Sequence, residues 1–292
     1  FQRIFKIPTF TTAITNTLKV GFLVGILSTI VGLLFAYVEV YLRMNKFVGG
    51  LFKVVSMLPV VSPPFVLSLS MIMLFGKAGI ITRHILGIYD NSVYGFWGIT
   101  VVQTLTFFPV CYMMLKGLLK NIDPSLEEAA RDMGASRFKV FSSVTLPLVL
   151  PGLGNAFLVT FIESIADFAN PMIIGGSYDT LATTIYLQIT GAYDKPGAAA
   201  MAVVLLAITL AMFAVQKYVL EKKTAATLTG KASRVRMLIE DRSVKIPLTI
   251  FCAAVAIFVI MMYICVRIGS LFTTWGYKFF PLTTKWFKLE LT

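Results

Sequence analysis

The chain has 292 residues, of which 57% are hydrophobic and only 14% charged. A soluble domain carries nearer a quarter charged residues, so this one is read as a membrane protein. A net charge of +12 would suggest nucleic acid in a soluble chain. In a membrane protein the position of each charge matters more, and no nucleic-acid partner is expected.

A helical crossing takes about 20 apolar residues. Backbone groups have no water partner in hydrocarbon, and alternating ten-residue strand patterns are absent. The chain is therefore expected to be all-α, a polytopic bundle of six spans at roughly 18–38, 51–75, 96–118, 152–174, 198–220 and 247–267. Segments 39–53, 119–151 and 221–246, with Lys116 and Lys217 at the span ends, carry 16 of the 26 Lys and Arg. That side is assigned to the cytoplasm. The basic run 221–246 (Lys222, Lys223, Lys231, Arg234, Arg236, Arg242, Lys245) is read as a cytoplasmic linker facing lipid headgroups. Both ends then lie outside, which suits a piece of a longer polytopic protein. Cys111, Cys252 and Cys265 fall in or beside apolar runs and read as packing residues.

The second span contains Pro59, Pro63 and Pro64. Proline removes a donor and clashes with the preceding turn, so this span is expected to kink or unwind there. Broken helices at membrane depth are tolerated where they face protein or a water-filled cavity. The prolines are therefore either a plain kink or part of a pathway wall.

Residues 121–151 are polar and well capped between apolar spans. Asp123 is a good N-cap and Pro124 fits the first turn. Leu126, Ala129, Ala130 and Met133 recur at helical spacing and predict one apolar face. Gly134 is a natural residue after a helix end. Ser136 caps a second short helix, with Phe138, Phe141 and Val144, expected to end before Pro147. The run Glu128-Ala129-Ala130, three residues, Gly134, nine residues, Val144, one residue, Leu146-Pro147 resembles the EAA loop of binding-protein-dependent ABC importer permeases, with Val144 where the pattern has Ile. The resemblance covers about 18–220 and implies a type I permease core of five helices plus one further span. It also implies that Glu128, Ala129, Ala130 and Gly134 form a knob docked in a groove of a cytoplasmic ATPase. Leu146 and Pro147 would anchor the return to the membrane. Two such ATP-binding subunits would close on ATP and Mg, pull on these loops and flip the pathway. This chain itself would carry no cofactor.

The fourth span holds Thr160, Glu163, Asp167 and Asn170, spaced three, four and three, which predicts one shared helix face. Carboxylates inside a membrane helix are costly and face a cavity or a partner. They are read either as lining the translocation pathway or as neutralised by protonation or a basic partner. Residues 166–176 and 181–186 resemble ferric-iron permeases. They are also similar to permeases for phosphonates, thiamine and phosphorylated sugars. Ferric iron is the first expectation and an organic anion the second. The exterior loops 76–95 and 175–197 are expected to meet an extracytoplasmic substrate-binding protein.

The resemblance divides the chain into a permease core at 1–220, the linker 221–246, and a segment 247–292 that opens a truncated second half, as in fused ferric-iron-type permeases. A second permease half is required, because one five-helix core cannot enclose a path. No HExxH motif is present, and Gly230-Lys231-Ala232 lacks the Ser/Thr and earlier glycine of a phosphate loop. The chain is thus expected to be no enzyme, but a multi-pass permease of a bacterial inner membrane. A secondary transporter or channel, driven by an ion gradient, is the alternative of a different class.

Overall fold

The computed structural model describes residues 7–220, 238–239, 241–275, 282–283 and 285. Most of the predicted linker, including Lys222, Lys223, Lys231, Arg234 and Arg236, lies outside the described residues. All regular elements among the described residues are helical. Six helices are long and apolar enough to cross a membrane.

The first, α1 (Pro8–Tyr41), has 34 residues and is about 51 Å long at 1.5 Å per residue. It starts ten residues before the predicted span, because Pro8 occupies its first turn. The predicted second span is two helices, α2 (Lys46–Val61) and α3 (Phe65–Phe75). Pro59 stays inside α2 and does not break it. The break falls at 62–64, where two consecutive prolines each disfavour helix in the residue before them. Beyond α3 a π-helical turn, Ile80–Ile85, extends the apolar stretch so that Phe65–Ile85 is the crossing of sufficient length.

Next come α4 (Phe96–Asn121), α5 (Pro124–Asp132) and α6 (Arg137–Val140). A π-helical turn, Phe141–Thr145, leads from α6 into α7 (Leu146–Ala166). Two short helices follow, α8 (Ala169–Ile174) and α9 (Leu181–Thr190). The last two crossings are α10 (Lys195–Val215) and α11 (Arg242–Gly269). The predicted exterior loop 175–197 thus contains a helix, started by a reciprocal hydrogen-bonded box between Thr180 and Thr183.

At the centre α1 packs on α4 and α7. Without a hydrophobic drive between helices in lipid, close backbone approach through small residues supplies the contact. A Cβ on Gly32 would lie 2.5 Å from the Cβ of Cys111 on α4. One on Gly21 would lie 2.5 Å from Ile165 on α7, and one on Gly25 2.8 Å from the Phe157 ring. The same helix thus meets α7 at Gly21 and Gly25 and α4 at Gly32. Phe35 joins them, stacked on Phe52 at 4.7 Å and tilted against Phe108 at 5.0 Å. On the flank, α11 rests on α3. There Ser70 donates to the carbonyl of Met262 at 2.8 Å, and Trp275 donates to that of Met73 at 3.0 Å. By contrast α10 turns Val203, Leu206, Leu210 and Phe213 outward, an apolar face suited to lipid or another membrane helix.

Candidate functional sites: the hairpin and the broken helix

Helix α4 passes into α5 through only Ile122 and Asp123. The Asp123 carboxylate accepts from the Ser125 amide at 3.0 Å, and Pro124 needs no partner for the amide it lacks. At the other end Gly134 adopts φ 85°, with its amide on the Arg131 carbonyl and that of Ala135 on the Ala130 carbonyl. This is the Schellman arrangement that glycine favours, and it reverses the chain in two residues. Ser136 then accepts from the Lys139 amide at 3.3 Å and starts α6.

The second helix does not stop before Pro147 as predicted. It runs without interruption as Arg137–Ala166. The π-helical turn explains this: the Leu146 amide reaches back to the Phe141 carbonyl, five residues away. A widened turn relieves the clash that the proline ring makes with the preceding turn, so Pro147 is carried inside a helix. The hairpin is thus fused to the membrane helix α7 rather than hinged to it.

The faces of α5 also differ from the prediction. Pro124, Glu127 and Ala130 are buried against the rest of the chain. Leu126 and Met133 are 49% and 83% exposed, and Ala129 is exposed beside them. Ala130 therefore leaves the predicted apolar face, because one residue is 100° of rotation from Ala129 and shares a stripe with Glu127. Phe138 on α6 adds 79% exposure to the outward patch. Glu128 is half-buried, Leu146 is half-buried and Pro147 exposed.

Sequence spacing did not single out Glu127. Its Oε1 accepts from the Tyr41 hydroxyl at 2.6 Å and from the Thr145 hydroxyl at 2.7 Å. The available signal was an acid in the first turn of α5, which a helix dipole alone can explain; Tyr41 lies 86 residues away.

The predicted single face of Thr160, Glu163, Asp167 and Asn170 does not form. Helix α7 ends at Ala166, and Asp167 has extended backbone, φ −69° and ψ 123°. Its Oδ1 accepts from the amides of Ala169 and Asn170 at 3.0 and 3.4 Å, which starts α8 in a new direction. A local cap thus overrides the helical period. Its Oδ2 accepts from Gln103 Nε2 at 2.7 Å and from Asn170 Nδ2 at 2.8 Å. Ser164 donates to Gln103 Oε1 at 2.6 Å, and Ser68 to Asn170 Oδ1 at 2.7 Å. Asp167 and Asn170 are therefore brought together with Ser68 and Gln103, two residues the spacing did not flag. The only signal for Gln103 in the sequence is an amide within an apolar span.

Thr160 is buried elsewhere, donating to the Ala156 carbonyl at 3.0 Å, with Cys111 Sγ 3.8 Å away. Glu163 is half-buried, and its Oε2 is enclosed with no hydrogen-bond partner among the described residues. Pro63 and Pro64 are exposed at the α2–α3 break and Pro59 is buried in α2. Beside them Ser62 is hydrogen-bonded to Tyr263 of α11. Among the described residues no three His, Cys, Asp or Glu side chains gather as a metal set.

A helical bundle with six candidate crossings and a capped hairpin fused to one of them defines a multi-pass membrane protein. The model of the family described as "Binding-protein-dependent transport system inner membrane component" matches residues 28–225, and the chain belongs to that family. It is a multi-pass protein of the inner membrane. The putative ferric transport system permease protein FbpB 1 of Haemophilus influenzae is 36% identical over 278 residues, covering 93% of this chain and 43% of that protein. The ferric transport system permease protein FbpB of Actinobacillus pleuropneumoniae is 36% identical over 269 residues, covering 90% and 39%. The chain thus spans less than half the length of these relatives. The molybdenum transport system permease protein ModB of Escherichia coli is 28% identical over 203 residues, covering 68% of this chain and 88% of that protein. Among solved structures, the inward-facing MetNI methionine ABC transporter has a chain of the same fold, with a TM-score of 0.57 at 23% identity. That match covers 74% of this chain and 96% of the other. A bacterial alginate ABC transporter, bound to a periplasmic protein carrying alginate pentasaccharide, gives a TM-score of 0.61 at 18% identity, covering 77% and 82%.

Proposed function

We propose that this chain supplies one permease half of an ATP-driven importer working by alternating access, and that its cargo is ferric iron. The observation that carries this is the hairpin. A short capped helix bearing Glu128-Ala129-Ala130 presents Leu126, Ala129 and Met133 outward, and a tight turn at Gly134 joins it to the helix that runs unbroken from Arg137 through α7. A partner gripping that patch can move a membrane helix without melting a hinge. The partners are two cytoplasmic ATPases that bind ATP and Mg, a second permease half, and an extracytoplasmic binding protein that delivers the cargo. The chain spans less than half of each ferric relative, which supports a core at 1–220, a linker at 221–246 and the opening of a second half at 247–292. Ferric iron as cargo is supported by the two FbpB relatives.

Of the residues proposed for the pathway, Glu163 retains the best case. Its enclosed, unpartnered oxygen suits a cation or a group from the second half, since a buried polar atom needs a partner. Asp167 and Asn170 are occupied with each other and serve the pathway by shaping the break. The test is reconstitution of the full-length protein in liposomes with its ATPase and iron-loaded binding protein. Uptake of labelled ferric iron that requires ATP supports the proposal. Uptake driven by an ion gradient without the ATPase contradicts it, and ATP-dependent uptake of an organic anion in place of iron corrects the cargo alone.

A further inference from the structure

The hairpin is joined by the chain to α4 and α7, but not to α1, whose last residue is 86 positions before Glu127. Even so, α1 and the hairpin share a buried seam. Glu127 is 8% exposed, unusual for a carboxylate in the first turn of a short helix, where the dipole favours an acid without any need to bury it. Its Oε1 takes the hydroxyl hydrogens of Tyr41, at the end of α1, and Thr145, at the mouth of α7. Both distances, 2.6 and 2.7 Å, are those of charge-assisted bonds. Tyr37 adds a second contact across the seam, stacked on Tyr41 at 4.4 Å and edge-on to Phe141 at 5.5 Å. The far side of the same turn is held to α4: Glu39 pairs with Lys116 at 2.6 Å and accepts from the Tyr112 hydroxyl.

We infer that Glu127 is a positioning residue that clamps the hairpin to the end of α1, making α1 a second output arm beside α7. Glu127 can act this way only if an ATPase grips the hairpin as proposed above. A pull on α5 then reaches the membrane by two routes. One is covalent, through the Gly134 turn and the unbroken helix Arg137–Ala166. The other is the carboxylate, through Tyr41 into the helix that packs on both α4 and α7. Without Glu127, α7 can move while α1 stays behind.

The test uses the full-length protein purified with its ATPase subunits and spin labels at Arg43→Cys and Lys139→Cys, both exposed positions. Distances are measured without nucleotide and after trapping with ATP and vanadate. With Glu127 intact the distance stays the same in the two states. In Glu127→Ala it changes on trapping, and stimulation of ATP hydrolysis by the loaded binding protein falls about ten-fold. Glu127→Gln, which keeps an acceptor oxygen, restores most of both. Tyr41→Phe removes one hydroxyl from a ring that still packs, so it serves if the alanine variant does not fold; about a three-fold loss is expected. A distance in Glu127→Ala and Tyr41→Phe that is as constant as with Glu127 and Tyr41 intact overturns the clamp. Failure of the unmutated protein to bind any ATPase overturns the docking proposal, and the clamp with it.

Discussion

The hairpin and the break after α7 both interrupt apolar helix with polar residues, but their polar groups are satisfied in different places. In the hairpin, Asp123, Gly134 and Ser136 close turns on residues within five positions of themselves. In the break, Asp167 gathers its own backbone, Asn170, and Gln103 of α4, and Asn170 reaches Ser68 of α3. The first is a self-contained unit with one buried clamp and an outward apolar face. The second is a weld between three helices. A unit of the first kind can be gripped and moved as a body, whereas the second fixes where a helix bends.

Substitutions at each place should separate the two. The largest effect is expected from Asp167→Leu, which leaves the Gln103 and Asn170 amides without their acceptor and removes the cap of α8. The loss should be about 3 kcal/mol, read as a lowered thermal midpoint of the purified protein in detergent. Asp167→Asn turns an amide toward two donors, and the exchange Gln103→Glu with Asp167→Asn should recover part of that loss. Unchanged stability in Asp167→Leu would show that no weld exists. In the hairpin the corresponding change is Gly134→Ala. Nothing lies within 4 Å of a Cβ there, so only the φ of 85° opposes it, at about 1–2 kcal/mol. The same melts check this, and a loss as large as that of Asp167→Leu would mean the hairpin is not self-contained. Smallest of all is Pro147→Ala, expected within about 1 kcal/mol, because the π-helical turn already accommodates the ring; a clear gain in stability would show that the turn is strained.

The same contrast explains what the amino-acid sequence disclosed. Caps and glycine turns act over a few residues, so the start of α5 and its end at Gly134 could be read from spacing, and the number of crossings, though not all their bounds, from apolar length. Three features could not. The continuation through Pro147 depends on a turn type that proline alone does not specify. The split of Ala129 from Ala130 depends on which side of α5 meets α1. The bend at Asp167 had a local signal, an acid followed by Pro171 in the next turn, but a period of 3.6 was carried across it. Gln103, Ser68 and Tyr41 find their partners 61 to 102 residues away, beyond the reach of any pattern along the chain.

The outward face of α5 is open to a direct measurement. The chain's own cysteines, Cys111, Cys252 and Cys265, are all buried, so a single introduced thiol reports its own position. A short bifunctional crosslinker applied to the assembled complex should join Ala129→Cys to a nucleotide-hydrolysing subunit and leave Ala130→Cys untouched. Crosslinks from both positions alike, from neither, or from Ala129→Cys only to reagents confined outside the cell, would contradict the proposal that this hairpin is the handle of a transporter.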